Sequence, residues 1–152
     1  ALYTQNNRRN RRVMLFCAET EADDLAAQIV ADLVEADGYE VFFGGGGVAW
    51  DEVMQEASEQ KPDVLLLFSS SGRDAPHIRV LIDTIREIGA CPDMQIVVGG
   101  GIFNRAEGLA EEIGADLWAS TPMELVTRLD QEPERRATAE QRTVGQHRSN
   151  AA

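Results

Sequence analysis

Cysteine, histidine and lysine are scarce in this sequence of 152 residues, which has two Cys, two His and the single lysine Lys61. Cys17 sits in an apolar run and Cys91 just after a predicted helix, without metal-ligand spacing, so both read as reduced thiols. His77 and His147 share no segment, which excludes a helix carrying paired metal-binding histidines. With no nucleophile elbow and no CxxC pair either, nucleophilic and hydrolytic catalysis have no visible apparatus. No apolar run approaches the roughly 20 residues that a bilayer-spanning helix needs. The start, ALYTQNNRRNRR, is charged but lacks the apolar stretch of a secretory signal. A cytoplasmic location is therefore expected, for a chain that can be a processed or excised piece.

What is abundant is acid. The formal net charge is −12, yet Arg8, Arg9, Arg11 and Arg12 open the chain with no carboxylate among the first 12 residues. Residues 13–130 hold six basic and 23 acidic side chains. A surface of that sign repels phosphate backbones, so this domain is not expected to bind nucleic acid. The basic run reads as a linker or arm, residues 1–12, leading from an upstream domain or touching nucleic acid or an acidic partner. The length fits one domain with one core.

Short apolar runs alternate five times with helical stretches. The runs are Val13–Ala18, Tyr39–Phe43, Val64–Phe68, Gln95–Val98 and Asp116–Ala119, as expected of strands buried on both faces. Helices are predicted over about Asp24 to Ala36, Trp50 to Glu59, Pro76 to Ile88 with Asp74 as a cap, Arg105 to Ile113, and Thr121 to Asp130. Parallel strands need right-handed crossovers, so the alternation implies a three-layer α/β domain, flavodoxin-like and doubly wound. Its five-stranded parallel sheet takes the order 2-1-3-4-5, with ligands expected at the carboxyl ends of the strands. The domain is placed at residues 13–130, and residues 131–152 read as a helix extension followed by a disordered tail.

Three small-residue loops are expected on that rim: Gly44-Gly45-Gly46-Gly47, Ser69-Ser70-Ser71-Gly72 and Gly99-Gly100-Gly101. Together they suit a large planar ligand or a partner surface better than a tight catalytic pocket. The first run follows the second strand, where a dinucleotide fingerprint does not belong, and reads as a connector or a ligand contact. Glu19, Glu21, Asp23 and Asp24 crowd the start of the first helix, as surface charge or a divalent-ion site. A phosphoacceptor receiver also needs Asp at the end of the third strand and Lys at the end of the fifth; those places read Phe68-Ser69-Ser70 and Ala119-Ser120 instead.

From about Arg12 to Leu129 the chain resembles the cobalamin (vitamin B12) binding domain of corrinoid methyltransferase carriers, carbon-skeleton mutases and B12-type regulators. The segments that carry the likeness are Ala31–Val41, Pro62–Leu67, Ile85–Gly89, Val97–Gly100 and Glu111–Asp116, in that order and spacing. The resemblance implies a D-x-H-x-x-G motif supplying an imidazole to cobalt. Here Glu21-Ala22-Asp23-Asp24-Leu25-Ala26 occupies that place, with Asp23 at the His position. It also implies a small Ser lining the slot for the nucleotide tail, where this chain has Phe68 followed by Ser69 and Ser70. The Gly99-Gly100 turn beside the tail is kept. An oxygen donor suits cobalt less well than imidazole.

The expectation is a cobalamin-binding-type domain without the usual His ligand, serving as a non-catalytic regulatory or sensory module. Its cofactor contacts would be Glu21, Asp23, Gly45, Phe68, Ser69, Ser70, Gly99 and Gly100. His77 would be the one metal ligand, reaching cobalamin or, less readily, haem from the open face. The alternatives are a corrinoid carrier or mutase subunit binding cobalamin with its own base on the metal, and a ligand-free interaction domain. A protein partner or upstream domain is expected, no membrane contact, and the oligomeric state is open.

Overall fold

Aliphatic and aromatic residues uninterrupted by charge need apolar partners on both faces, and the run Val13–Cys17 takes the interior of the sheet for that reason. The computed structural model describes residues 11–18 and 21–138, with backbone alone at residues 21, 22 and 104. Its strands are β1 (Arg12–Cys17), β2 (Glu40–Gly46), β3 (Val64–Phe68), β4 (Gln95–Gly99) and β5 (Leu117–Ala119). All pair in parallel in the order β2-β1-β3-β4-β5, the flavodoxin-like order expected.

The alternation of side chains along each strand divides the core in two. Val13, Leu15 and Leu66 pack with Val30 and Val34 of α1 (Glu21–Ala36) and Leu129 of α6 (Pro122–Gln131). Met14, Phe16, Leu65 and Leu67 pack on the opposite face with Val53 of α2 (Trp50–Gln60) and Ile82 of α3 (Ala75–Ile88). Helix ends follow local chemistry. Gly89, at φ 71°, closes α3 by donating its N–H to the Ile85 carbonyl. The Thr121 hydroxyl accepts the Glu124 N–H to start α6, with Pro122 in its first turn.

The molecule departs from the expected pattern in four places. Gly44, Gly45 and Gly46 belong to β2 and form a bulge, since Leu15 pairs with Phe43 while Phe16 pairs with Gly45. The extra residue must be glycine, because a Cβ on Gly44 would stand 2.2 Å from the Phe16 ring. The fourth helix is two short ones, α4 (Gly101–Arg105) and α5 (Leu109–Glu112), broken where Ala106 is extended and Gly108 takes φ 80°. Asp74 gives no side-chain cap to α3; it bonds elsewhere, on the rim.

Lastly, α6 stops at Gln131, and residues 132–138 do not extend it. They cross the amino edge of β4 and β5 as an irregular strap. The amide of Gln95 donates to the carbonyls of Glu132 (2.9 Å) and Arg135 (3.1 Å). Asp116, buried beneath, accepts from Ile96 N–H, Ala137 N–H and the Arg86 guanidinium, each at 2.7 Å. One carboxylate thus ties strand, strap and α3 together. The Arg128 and Arg135 guanidinia lie against the Trp118 ring, 5.5 and 4.6 Å from its centroid. Arg8, Arg9 and the expected disordered tail beyond residue 138 lie outside the described residues.

Candidate functional site

The carboxyl ends of β1, β3 and β4 meet the starts of α1, α3 and α4 along one rim. At its α1 end, Asp23 is buried in the first turn. Asp24 accepts a 2.8 Å bond from the Gln28 amide and faces the Cys17 sulfur at 4.0 Å. Burial, reinforced by the charges of Asp24 and then Asp23, pushes the Cys17 thiol up to about 11, so no thiolate nucleophile exists here near neutrality. Of Glu21 only the backbone is described.

At the centre of the rim, the Phe68 ring leaves the end of β3 on the α1/α6 face and packs half-buried against that cluster. It also lies beside Gly99, with Cδ2 3.5 Å from where a Cβ would stand. Gly100, at φ 114°, lets the next loop come so close that a Cβ there would sit 2.0 Å from the Ser69 carbonyl oxygen. Gly100 is therefore required by a contact within the chain, whereas a Cβ on Gly99 would meet the ring at an ordinary van der Waals distance. The Ser69 hydroxyl is buried, donating to Asp74 Oδ2 at 2.6 Å and accepting from Ser71 N–H at 3.2 Å. The Ser70 carbonyl accepts from the Arg105 guanidinium. These bonds fix the loop between β3 and α3.

The structure thus brings Phe68, Ser69, Ser70, Gly99 and Gly100 into one patch, with Asp23 beside Cys17 at the end of the neighbouring strand. Gly45 and His77 stand on the other side. Gly45 has φ 86° and nothing within 4 Å of a built Cβ, so the rim is open there. His77 is exposed in the first turn of α3, its ring stacked on Trp50 at the start of α2, with centroids 6.4 Å apart and planes 14° apart. Among the described residues no group of three His, Cys, Asp or Glu side chains could hold a metal ion. No helix among them is long and apolar enough to cross a membrane. The Ser69–Asp74 lock and the Trp50–His77 stack escaped the sequence reading, because neither pair has a spacing that a helix or strand repeat would reveal.

A family model described as B12 binding domain matches residues 11–127. Dimethylamine corrinoid protein 3 of Methanosarcina mazei is 27% identical over 110 residues, 72% of this chain and 65% of that protein. A cobalamin-binding protein from Desulfitobacterium hafniense superposes with a TM-score of 0.72 at 21% identity, over 80% of this chain and 58% of that one. The methanol:cobalamin methyltransferase complex MtaBC from Methanosarcina barkeri gives 0.71 at 19%, over 86% of this chain and 49% of that one. At these identities the two structures show the likeness of fold. The chain spans less than two thirds of each of these relatives.

Proposed function

The chain belongs to the B12 binding domain family, and from that premise we propose that it is a cobalamin-binding regulatory module that takes the cofactor with its own base still on cobalt. Family and corrinoid relatives alike support cobalamin as the cofactor. The observation that carries the finer reading is the placement of the Phe68 ring against Gly99, in the recess where the family resemblance puts the nucleotide tail. The donors at the start of α1 point the same way, since Asp23 and Asp24 offer oxygen and no imidazole. The residues present do not fit a cofactor held by imidazole from below with its tail threaded beside β4. A cofactor that keeps its own base would rest against the rim, its tail outside.

In that arrangement the backbone of the Gly99-Gly100 turn and the Ser70 loop supply the floor. The Ser69–Asp74 bond and the Arg105 contact hold the loop in place, and His77 is the one described imidazole facing the open side. Cobalamin would supply the light- and redox-sensitive cobalt chemistry; the chain itself is proposed to do no catalysis. The corrinoid relatives favour a second reading, a carrier that presents the cofactor to a methyltransferase partner. Either role implies a protein partner, and the cytoplasm is the compartment proposed.

The experiment is to mix the protein with hydroxocobalamin, gel-filter, and record the visible spectrum. A co-eluting corrin with the spectrum of the free, base-on cofactor is expected. After reduction to cobalt(II), the nitrogen splitting in the electron spin resonance spectrum should not change when the protein is labelled with nitrogen-15. A base-off spectrum with label-dependent splitting sinks the proposal, and loss of that splitting in His77→Ala would name the ligand. Haemin in place of cobalamin tests the haem reading, and failure of both chromophores to co-elute leaves the interaction domain.

A further inference from the structure

The last turns of α3, the loop that leads to β4 and the strap border a cavity of about 330 Å³ at the amino edge of the sheet, opposite the rim. Its apolar wall is Ile85, Pro92, Met94 and Ile96, and its charged wall is Arg86, Asp116 and Arg136. Two cations against one carboxylate reverses the balance over residues 13–130, where acids outnumber bases 23 to six. The one carboxylate is already engaged, since Asp116 accepts from the Arg86 guanidinium and from two backbone N–H groups. Arg136 differs. Its guanidinium donates to the carbonyls of Pro133 (3.0 Å), Arg135 (2.8 Å) and Asp93 (2.8 Å), which hold it in place without neutralising it. Three of its five N–H donors are thus spent and two remain. Among the described residues it makes no ion pair.

We propose that this cavity binds a small monocarboxylate with an apolar body, its head on Arg136 and its body against Ile85, Met94 and Ile96. A half-buried guanidinium without a counter-ion, fixed beside an apolar wall, gains a charge-assisted hydrogen bond from such a head, and the wall is relieved of water by the body. The volume sets the size. About 330 Å³ is at the lower end of small-molecule sites, which suits a ligand of about ten non-hydrogen atoms and is too small for a corrinoid. The charge sets the head: with one cation uncompensated and Asp116 in the same wall, a single negative charge is favoured over a phosphate dianion. Once seated, the ligand would join Arg136 of the strap to α3 and β4. His77 lies at the other end of α3, in its first turn, so the site is distinct from the rim and requires no cobalamin.

Cys91 lines the same cavity and reports on it, since Cys17 is buried and its thiol is pushed up to about 11. The whole chain is treated with iodoacetamide at neutral pH, and alkylation of Cys91 is followed by mass spectrometry with and without phenylacetate. With a dissociation constant of about 1 mM, reasonable for ten atoms, about 5 mM phenylacetate should slow the reaction about fivefold. Acetate, which lacks the body, and phenylacetamide, which lacks the charge, should each slow it less than roughly twofold. Arg136→Gln should remove the protection. Failure of phenylacetate to protect, equal protection by acetate or phenylacetamide, or full protection in Arg136→Gln overturns the proposal. The three ligands are compared on the unaltered chain, so that comparison decides even if the substitution loosens the strap.

Discussion

The Phe68 ring lies beside Gly99, its Cδ2 3.5 Å from where a Cβ on Gly99 would stand, an ordinary van der Waals distance. A methyl on Gly99 would touch the ring without displacing it, so the informative change is at Phe68. Phe68→Ser opens space beside β4 and removes part of an apolar cluster. It should cost about 2 kcal/mol, less than a fully buried Phe because the ring is only half covered. Combined with Asp23→His, the same change should convert a bound cobalamin from its base-on to its base-off spectrum. Urea melts and visible spectra read the two effects separately. A double variant whose bound cofactor stays base-on would show that some other contact keeps the tail out.

Gly100 and Gly45 both have positive φ, yet their surroundings differ. A Cβ at Gly100 meets the Ser69 carbonyl at 2.0 Å, while one at Gly45 meets nothing within 4 Å. Gly45→Ala should therefore cost only the conformational penalty, about 1 kcal/mol. Gly100→Ala must displace backbone and should cost about 3 kcal/mol or more. Thermal melts of the two variants, side by side, check the ordering.

Asp116 serves three donors at once, two of them backbone N–H groups. Asp116→Ala should cost about 3 kcal/mol, because it takes the carboxylate from the Arg86 guanidinium, which keeps the Gly114 carbonyl, and removes the acceptor of the buried Ile96 N–H and of the Ala137 N–H. Asp116→Asn keeps some acceptor capacity and should cost less. In both variants, hydrogen exchange at Ala137 should rise ahead of exchange in the central strands, which marks the strap as the first part to loosen.

The Cys17 thiol is raised from 9.0 to about 11 in the fold, chiefly by burial. An acid whose folded pKa is raised contributes stability that is whole below its unfolded value and fades as pH climbs through the folded one. The chain should lose stability between pH 9 and 11 on this account, as the buried thiol resists ionising. Cys17→Ala should flatten that alkaline slope while lowering stability at pH 7. Equal slopes for the two proteins would assign the alkaline loss to other groups. At the acid end, hydrogen bonding from Arg128 holds the Glu132 carboxyl below its usual value. Its support for the strap should accordingly be present near neutrality and fade as pH falls.

The strands were legible in the sequence because burial on both faces leaves a continuous apolar signature, as in Val64–Phe68. The helices over Trp50–Gln60 and Ala75–Ile88 were legible because their buried residues recur at helical spacing and Pro62 or Gly89 stops them. Gly44 was read as part of a loop, since its role depends on the Phe16 ring one strand away. The strap was invisible for the same reason: Gln95 and Asp116, which hold it, lie far from residues 132–138 in the chain. At the candidate site, Asp23 and Gly99 stood out in the acidic cluster and the small-residue loops, whereas Phe68 could be singled out only through the family likeness. The commitment of the Ser69 hydroxyl to Asp74 had no local trace.

The kink that Gly44 and Gly45 put into β2 has a consequence for how the molecule behaves in a crowd. β2 is an outermost strand, and a straight one would present a row of open amides and carbonyls to any neighbour. Bent in its second half, it can match a foreign strand only over its first few residues. Runaway stacking into fibrils is thereby starved of a template, even though Phe42 sits in the open.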